Sequence, residues 1–269
     1  LLFLLAIKVY NMSTQHHNKF GWKPGLPDHR DWKYSHSRMA LEAPPKFPSK
    51  VDLRSMFGPC YDQGDLGSCT GNGIAAVLEF DRKKQKLKDF IPSRLFIYYN
   101  ERVIEGTINQ DSGAEIKNGI KSVAQTGYCE ETIWPYNISE FTVKPPKQAY
   151  DEAVRMKALN YYSIDNSQIN QLKSCLAAGY PIVFGATVYE SLYSADNNHG
   201  IVSMPHPSEQ PLGGHCIVIV GYDDSKKLFI IRNSWGTNCG DKGYYYFPYN
   251  YITSKDLCDD FWTIRSISR

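Results

Sequence analysis

The sequence predicts an α+β fold in two lobes, mainly helical first and mainly antiparallel β second. Three observations carry this. Up to about residue 126 the apolar residues recur three and four apart, the period of a helix face. From about residue 181 onward come short runs of β-branched and aromatic residues separated by turn signals. Between the two halves Pro135, Pro145 and Pro146 punctuate a connecting stretch. Helices followed by strands, without βαβ alternation, argue for α+β layering.

The elements follow in order. Residues 1–47 read as an N-terminal leader. From residue 12 it is polar, with Lys23-Pro24-Gly25-Leu26-Pro27-Asp28 and Ala43-Pro44-Pro45-Lys46 as extended or turn segments. It is a tail, or an arm lying on the body. The helical lobe spans 48–155. A helix over 70–86 carries Ile74, Val77 and Leu78 on one face and cations at its C-terminal end. Helices over 93–103 and 113–126 follow, the latter with Ile116, Ile120 and Val123 on one stripe. The β lobe spans 156–269: a helix near 166–178, strands over 181–188, 215–223, 227–233, 243–249 and 261–267, and a long loop over 190–212.

The 269 residues are enough for a sizeable core, and 42% hydrophobic with 22% charged is ordinary globular composition. A net charge of +2 gives no sign of a nucleic-acid partner. No apolar run reaches the length of a membrane-spanning helix. Leu1-Leu2-Phe3-Leu4-Leu5-Ala6-Ile7 resembles the end of a signal-peptide apolar region, and Met12 is an alternative start, so the compartment stays open. Asn11 and Asn137 begin Asn-x-Ser sequences. The seven cysteines form no Cys-x-x-Cys pair, which argues against zinc. With Cys69 set aside, three disulfides are arithmetically possible and their connectivity is open. No cofactor is expected.

The informative stretch is Gln63-Gly64-Asp65-Leu66-Gly67-Ser68-Cys69-Thr70. A cysteine at the start of a helix meets partial positive charge and unpaired N–H groups, which favour a thiolate and serve an oxyanion. Gly67 lets a substrate backbone approach. Of the seven histidines, His215 alone opens a strong strand, after Gly213 and Gly214. Asn233, in Asn233-Ser234-Trp235-Gly236, is the residue to hold its ring, with Trp235 shielding the bond.

Together these blocks resemble the papain-like cysteine peptidases, the cathepsin family, most like the bacterial and large-DNA-virus branch. Gln, Cys, His and Asn occur in the family's order, His215 lies 146 residues after Cys69 and Asn233 18 further on. Gly240-x-x-Gly243-Tyr244 and Val51-Asp52-Leu53-Arg54 also match, so the resemblance covers residues 48–267. It implies a papain-like two-lobed fold with a β-barrel-like right lobe and the active site in the cleft. It also implies a monomeric thiol endopeptidase acting on peptides or proteins. Cys69 would be the nucleophile, His215 the base, Asn233 its orienter and Gln63 an oxyanion donor. Gly67, Ser68, Gly213, Gly214 and Trp235 would face substrate.

The sequence departs from the family in having Thr70 rather than an aromatic after the nucleophile, and Leu66 where many members have a cysteine. Tyr189, Tyr193, Met204 and Pro205 in and before the long loop are candidate substrate contacts. Family zymogens cover the cleft with a pro-segment, and residues 12–47 are long enough to do so. The arm is expected to touch the body near Cys69 through Trp22, Leu26 or Trp32. The rival readings are a catalytically silent peptide-binding module on the same fold and another Cys-His acyl-transfer enzyme. The Asn-Ser-Trp-Gly block weighs against the latter.

Overall fold

In a computed structural model, residues 19–41 and 46–268 are described. The apolar stretch 1–7, Met12 and Asn11 lie outside them. Six helices precede the central strands or alternate with them: α1 (Arg38–Leu41), α2 (Cys69–Lys84), α3 (Arg94–Glu105), α4 (Ile116–Gln125), α5 (Lys147–Ala153) and α6 (Ile169–Ala177). The short α7 (Ser191–Ser194) and α8 (Tyr249–Thr253) come later. The strands are β1 (Lys50–Asp52), β2 (Ala158–Ile164), β3 (Ile182–Tyr189), β4 (Pro211–Asp223), β5 (Leu228–Arg232), β6 (Tyr244–Pro248) and β7 (Cys258–Ile267).

Local chemistry sets the ends of α3. Ser93 caps its N-terminus by accepting the Phe96 N–H at 3.1 Å, and Gly106 closes it in the left-handed region at φ 69°. By contrast, the helix expected from residue 113 starts only at Ile116. Gly113 stands at φ 66° and Ala114 pairs as an isolated bridge, so residues 113–115 form a rim.

All strand pairs are antiparallel, in the order β2-β7-β3-β4-β5-β6, with β1 added beside the end of β4. The expected barrel-like closure does not form. The edge strands β2 and β6 satisfy their outer groups elsewhere. Ser163 on β2 donates its N–H to Trp32 of the N-terminal arm at 2.8 Å. On β6, Tyr246 donates to Gly200, and the Val202 N–H returns to Tyr246 at 3.0 Å. An edge covered by arm or loop no longer needs a second edge.

The strand β4 is buried on both faces, which explains its unbroken apolar run. Ile217 and Ile219 enter a core with Phe184, Phe229 and Phe261. Val218 and Val220 face the other way, against Ile74, Val77 and Leu78 of α2. Each of these fully buried side chains contributes about 1.5–3 kcal/mol relative to exposure. Thus α2 is clamped between the helical lobe and the sheet, and the two lobes share one interior. Tyr34 of the arm belongs to the core on the other face of the sheet, with Phe184, Ile217 and Ile219. It is completely buried, with its hydroxyl 3.1 Å from Ser174 Oγ. All seven cysteines are unpaired. Among the described residues no helix is long and apolar enough to cross a membrane.

Candidate active site

Cys69 is the first residue of α2, so its sulfur stands at the helix N-terminus. The loop before it is stitched to the segment carrying Asn233. Gln63 donates its backbone N–H to Ser234 O at 2.9 Å, and Gly236 donates to Tyr61 O at 2.8 Å. The Ser234 hydroxyl donates to Gln63 Oε1 at 2.7 Å, which turns the Gln63 amide N–H pair outward. That pair meets Leu66 O at 2.9 Å and Lys19 O at 3.0 Å.

His215 sits on β4 opposite Ala186 of β3. Its Nε2 lies 2.7 Å from Asn233 Oδ1, an acceptor, so Nε2 carries the proton. Nδ1 is buried without a hydrogen-bond partner and is free to accept one. The Trp235 ring stacks on the imidazole at 4.7 Å and 20°. The next backbone N–H, that of Cys216, donates to Cys69 Sγ at 3.3 Å and brings the sulfur to this strand. A thiol, an imidazole, an asparagine amide and a glutamine amide are therefore brought together by two strands, a helix start and the loop before it.

The cleft is covered. Residues 19–23 cross it, and Cys69 and His215 are both completely buried. Ala114 donates to Gly21 O at 2.7 Å, Lys23 to Ala114 O at 3.0 Å and Trp22 to Gly214 O at 2.9 Å. Phe20 meets the His215 ring edge-on at 5.9 Å. The Trp22 indole lies flat on Gly185, where a β-carbon would come within 1.9 Å of it. Lys19 pairs with Asp111 at 3.0 Å, and Asp111 also accepts the Gly67 N–H. Without water, burial pushes the Cys69 thiol up to about 12 and the His215 imidazole down to about 4, the Asn233 bond opposing the latter. Both groups are therefore neutral in the covered cleft.

A thiol at a helix start, a buried imidazole turned by an asparagine, and a glutamine amide beside them form the arrangement expected from the sequence. Comparison with known proteins bears on its ancestry. The profile described as papain family cysteine protease matches residues 47–259. The chain belongs to the papain family of cysteine proteases.

An uncharacterised peptidase C1-like protein of Acanthamoeba polyphaga mimivirus is 45% identical over 271 residues, covering 93% of this chain and 87% of that one. Among solved structures, xylellain, a cysteine protease from Xylella fastidiosa, is 42% identical with a TM-score of 0.83, covering 92% and 96%. A mite relative, peptidase 1 of Euroglyphus maynei, is 28% identical, and the match spans 61% of its length. Procathepsin B of Trypanosoma congolense shares the papain-like fold at a TM-score of 0.73 with 15% identity. The viral and bacterial likenesses agree with the branch read from the sequence.

The structure brings Cys69, His215, Asn233, Gln63, Gly67, Gly213, Gly214 and Trp235 to one cleft. Gly213 packs on Phe20, and Gly67 lies under Gly21. Ser68 is placed otherwise: it is fully buried and its hydroxyl bonds to Tyr136 and Asn72 behind the helix start. Tyr193 stacks on Trp235 at 6.2 Å, whereas Met204 is exposed. Of the three arm residues expected near Cys69, Trp22 is there. Leu26 is 86% exposed, and Trp32 stacks on Tyr161 of β2.

Sequence reasoning missed Phe20, Gly21, Asp111, the Gly113–Ala114 rim and Asp260. The unexpected glycine in Phe20-Gly21-Trp22 was the available signal for the close approach. Asp260 stands at φ 60° and accepts the Trp262 indole N–H at 2.6 Å. Burial raises its carboxyl to about 6, against the pull of the Trp262 bond. The Trp22 indole N–H makes no regular hydrogen bond but favours the charged form of Asp260. Among the described residues no three His, Cys, Asp or Glu side chains gather as a metal site.

Proposed function

We propose that the protein is a papain-like endopeptidase made as a zymogen, with residues 19–23 as the plug of its own cleft. The observation that carries this is the burial of Cys69 and His215, both completely, and of Asn233 beside them beneath that segment. Once the plug leaves, Cys69 gives its proton to His215 Nδ1 and attacks the scissile carbonyl. Gln63 and the Cys69 N–H hold the oxyanion, His215 protonates the leaving amine, and water hydrolyses the thioester. Every residue comes from one chain, so a monomer suffices. Within the covered cleft the plug carbonyl of Lys19 accepts from the Gln63 amide at 3.0 Å, and the Cys69 sulfur accepts from the Cys216 N–H at 3.3 Å.

The test is covalent labelling by an epoxysuccinyl probe, followed by intact mass. One adduct after opening of the cleft, absent in Cys69→Ala, is expected. Opened, folded protein that takes no label and cleaves no peptide library would favour the silent binding module.

In the opened enzyme Asn233→Ala is expected to lower kcat/KM about tenfold, the worth of one hydrogen bond of about 1–1.5 kcal/mol. The loss is partial because the Trp235 stack still holds the ring. An unchanged kcat/KM would remove Asn233 from the mechanism.

Acid is expected to favour the opened cleft. His215 is lowered from 6.5 to about 4 when covered, so its contribution to the covered state is whole above 6.5 and is lost as pH falls towards 4. The covered state should therefore weaken by up to about tenfold per pH unit below 6.5, and the fraction of Cys69 open to label should grow as pH falls from 7 to 4. An open fraction that does not change over this range would refute the dependence.

A further inference from the structure

The N-terminal arm has two parts that the chain treats differently. The first, residues 19–23, lies in the cleft. The second, residues 28–37, is built into the body. Lys117 is held between Asp28 at 3.2 Å and Asp31 at 3.0 Å, with its side chain almost wholly covered. Trp32 takes the Ser163 N–H of the β2 edge, Tyr34 is fully buried, and Ser37 is also buried. Between the two parts lie Pro24-Gly25-Leu26-Pro27. Pro24, Leu26 and Pro27 are exposed, and neither Gly25 nor Leu26 makes a backbone hydrogen bond among the described residues.

We propose that this turn is the maturation site, cut at one of the two peptide bonds of Gly25, and that the mature enzyme keeps residues 28–37 as part of its β lobe. The proposal rests on the plug reading above. A cut near residue 47, where the family match begins, would sever the arm from the body but break none of the contacts of Lys117, Trp32 or Tyr34. The plug would stay tethered beside the cleft at high effective concentration. A cut at Gly25 instead leaves the plug only its own contacts. The bonds into Pro24 and Pro27 are tertiary amides without an N–H, so the two bonds of Gly25 are the ordinary ones in the turn.

The plug closes the cleft of its own copy, so an opened second copy performs the cut. Its Cys69 sulfur bonds to the carbonyl carbon before the cut as the C–N bond breaks. The amine of the downstream piece takes the proton from His215, and water releases the upstream acid.

The experiment uses two full-length variants, each carrying an inserted recognition sequence for a site-specific protease. One insertion is at Gly25, the other between Lys46 and Phe47. After each cut, the epoxysuccinyl labelling rate of Cys69 is measured, and the pieces that co-elute in gel filtration are identified by mass. In parallel, full-length Cys69→Ala is treated with a trace of opened enzyme and its new N-terminus is sequenced.

The cut at Gly25 is expected to raise labelling about tenfold or more, with residues 28–37 retained. The second cut is expected to leave the rate within about twofold and the arm bound, as tethering requires. The Cys69→Ala chain should begin at Gly25 or Leu26. Labelling that follows only the second cut, with the arm lost, or a new N-terminus near residue 47, overturns this inference and leaves the plug reading standing. Labelling after neither cut overturns the plug reading, and this inference with it.

Discussion

Gly21→Ala is expected to open the cleft without any cut. A methyl group there would stand 1.8 Å from the carbonyl oxygen of Gly67 and 2.4 Å from its carbon. Both are backbone atoms, so no side chain can swing aside. Overpacking of this kind costs about 1–3 kcal/mol even where neighbours yield, and each 1.4 kcal/mol is a factor of ten in population. Labelling of Cys69 in the intact variant should therefore run about ten to a hundred times faster than in the parent. The residues of the site are untouched, so the rate after opening should match that of the opened parent. Equal labelling of intact parent and variant would show that residues 19–23 do not limit access.

Tyr34→Ala is expected to destabilise the whole molecule. The ring is fully buried beside Leu172, Leu176 and Phe184. Truncating a buried aromatic to alanine costs about 3–5 kcal/mol, from lost transfer energy and the cavity left behind. The urea midpoint should fall at unchanged slope. Tyr34→Phe should recover most of the loss, since it keeps the buried ring and removes the hydroxyl, whose bond to Ser174 is worth about 1 kcal/mol. A midpoint unmoved in the alanine variant would mean that the arm contributes nothing to the folded body. It would count against retention of residues 28–37.

Much of the site was legible because its parts are local. Cys69 at a helix start, His215 at a strand mouth and Asn233 at a strand end each carry their context within a few residues. What stayed hidden depends on distant partners. Strand β2 shows no alternating burial, because its pairing with β7 shifts register on either side of Asn160, so Ala-Leu-Asn-Tyr-Tyr-Ser-Ile gives no period of two. Ser68 reads as a cleft residue from its place beside Cys69, but Tyr136, 68 residues away, draws its hydroxyl inward. Gly113 reads as the start of a helix, and only the pairing of Ala114 with Trp22 reveals a binding rim. The open sheet is hidden for the same reason: its edges are finished by Trp32 and Gly200, neither of which belongs to a strand.

The double-sided burial of β4 has a consequence for the fidelity of folding. His215 and Cys216 are neighbours on one strand, so they point to opposite faces. The first serves the cleft, and the second faces α2, with its sulfur against Gly73. Sliding β4 by one place against β3 would exchange them, putting a thiol in the cleft where the imidazole belongs and an imidazole against the helix. The same slip would transpose Ile217 and Val218, and with them two cores at once. A misaligned copy would thus lose the cleft imidazole and a stable interior together, so a chain with the wrong residue in its cleft would not persist as a well-folded molecule.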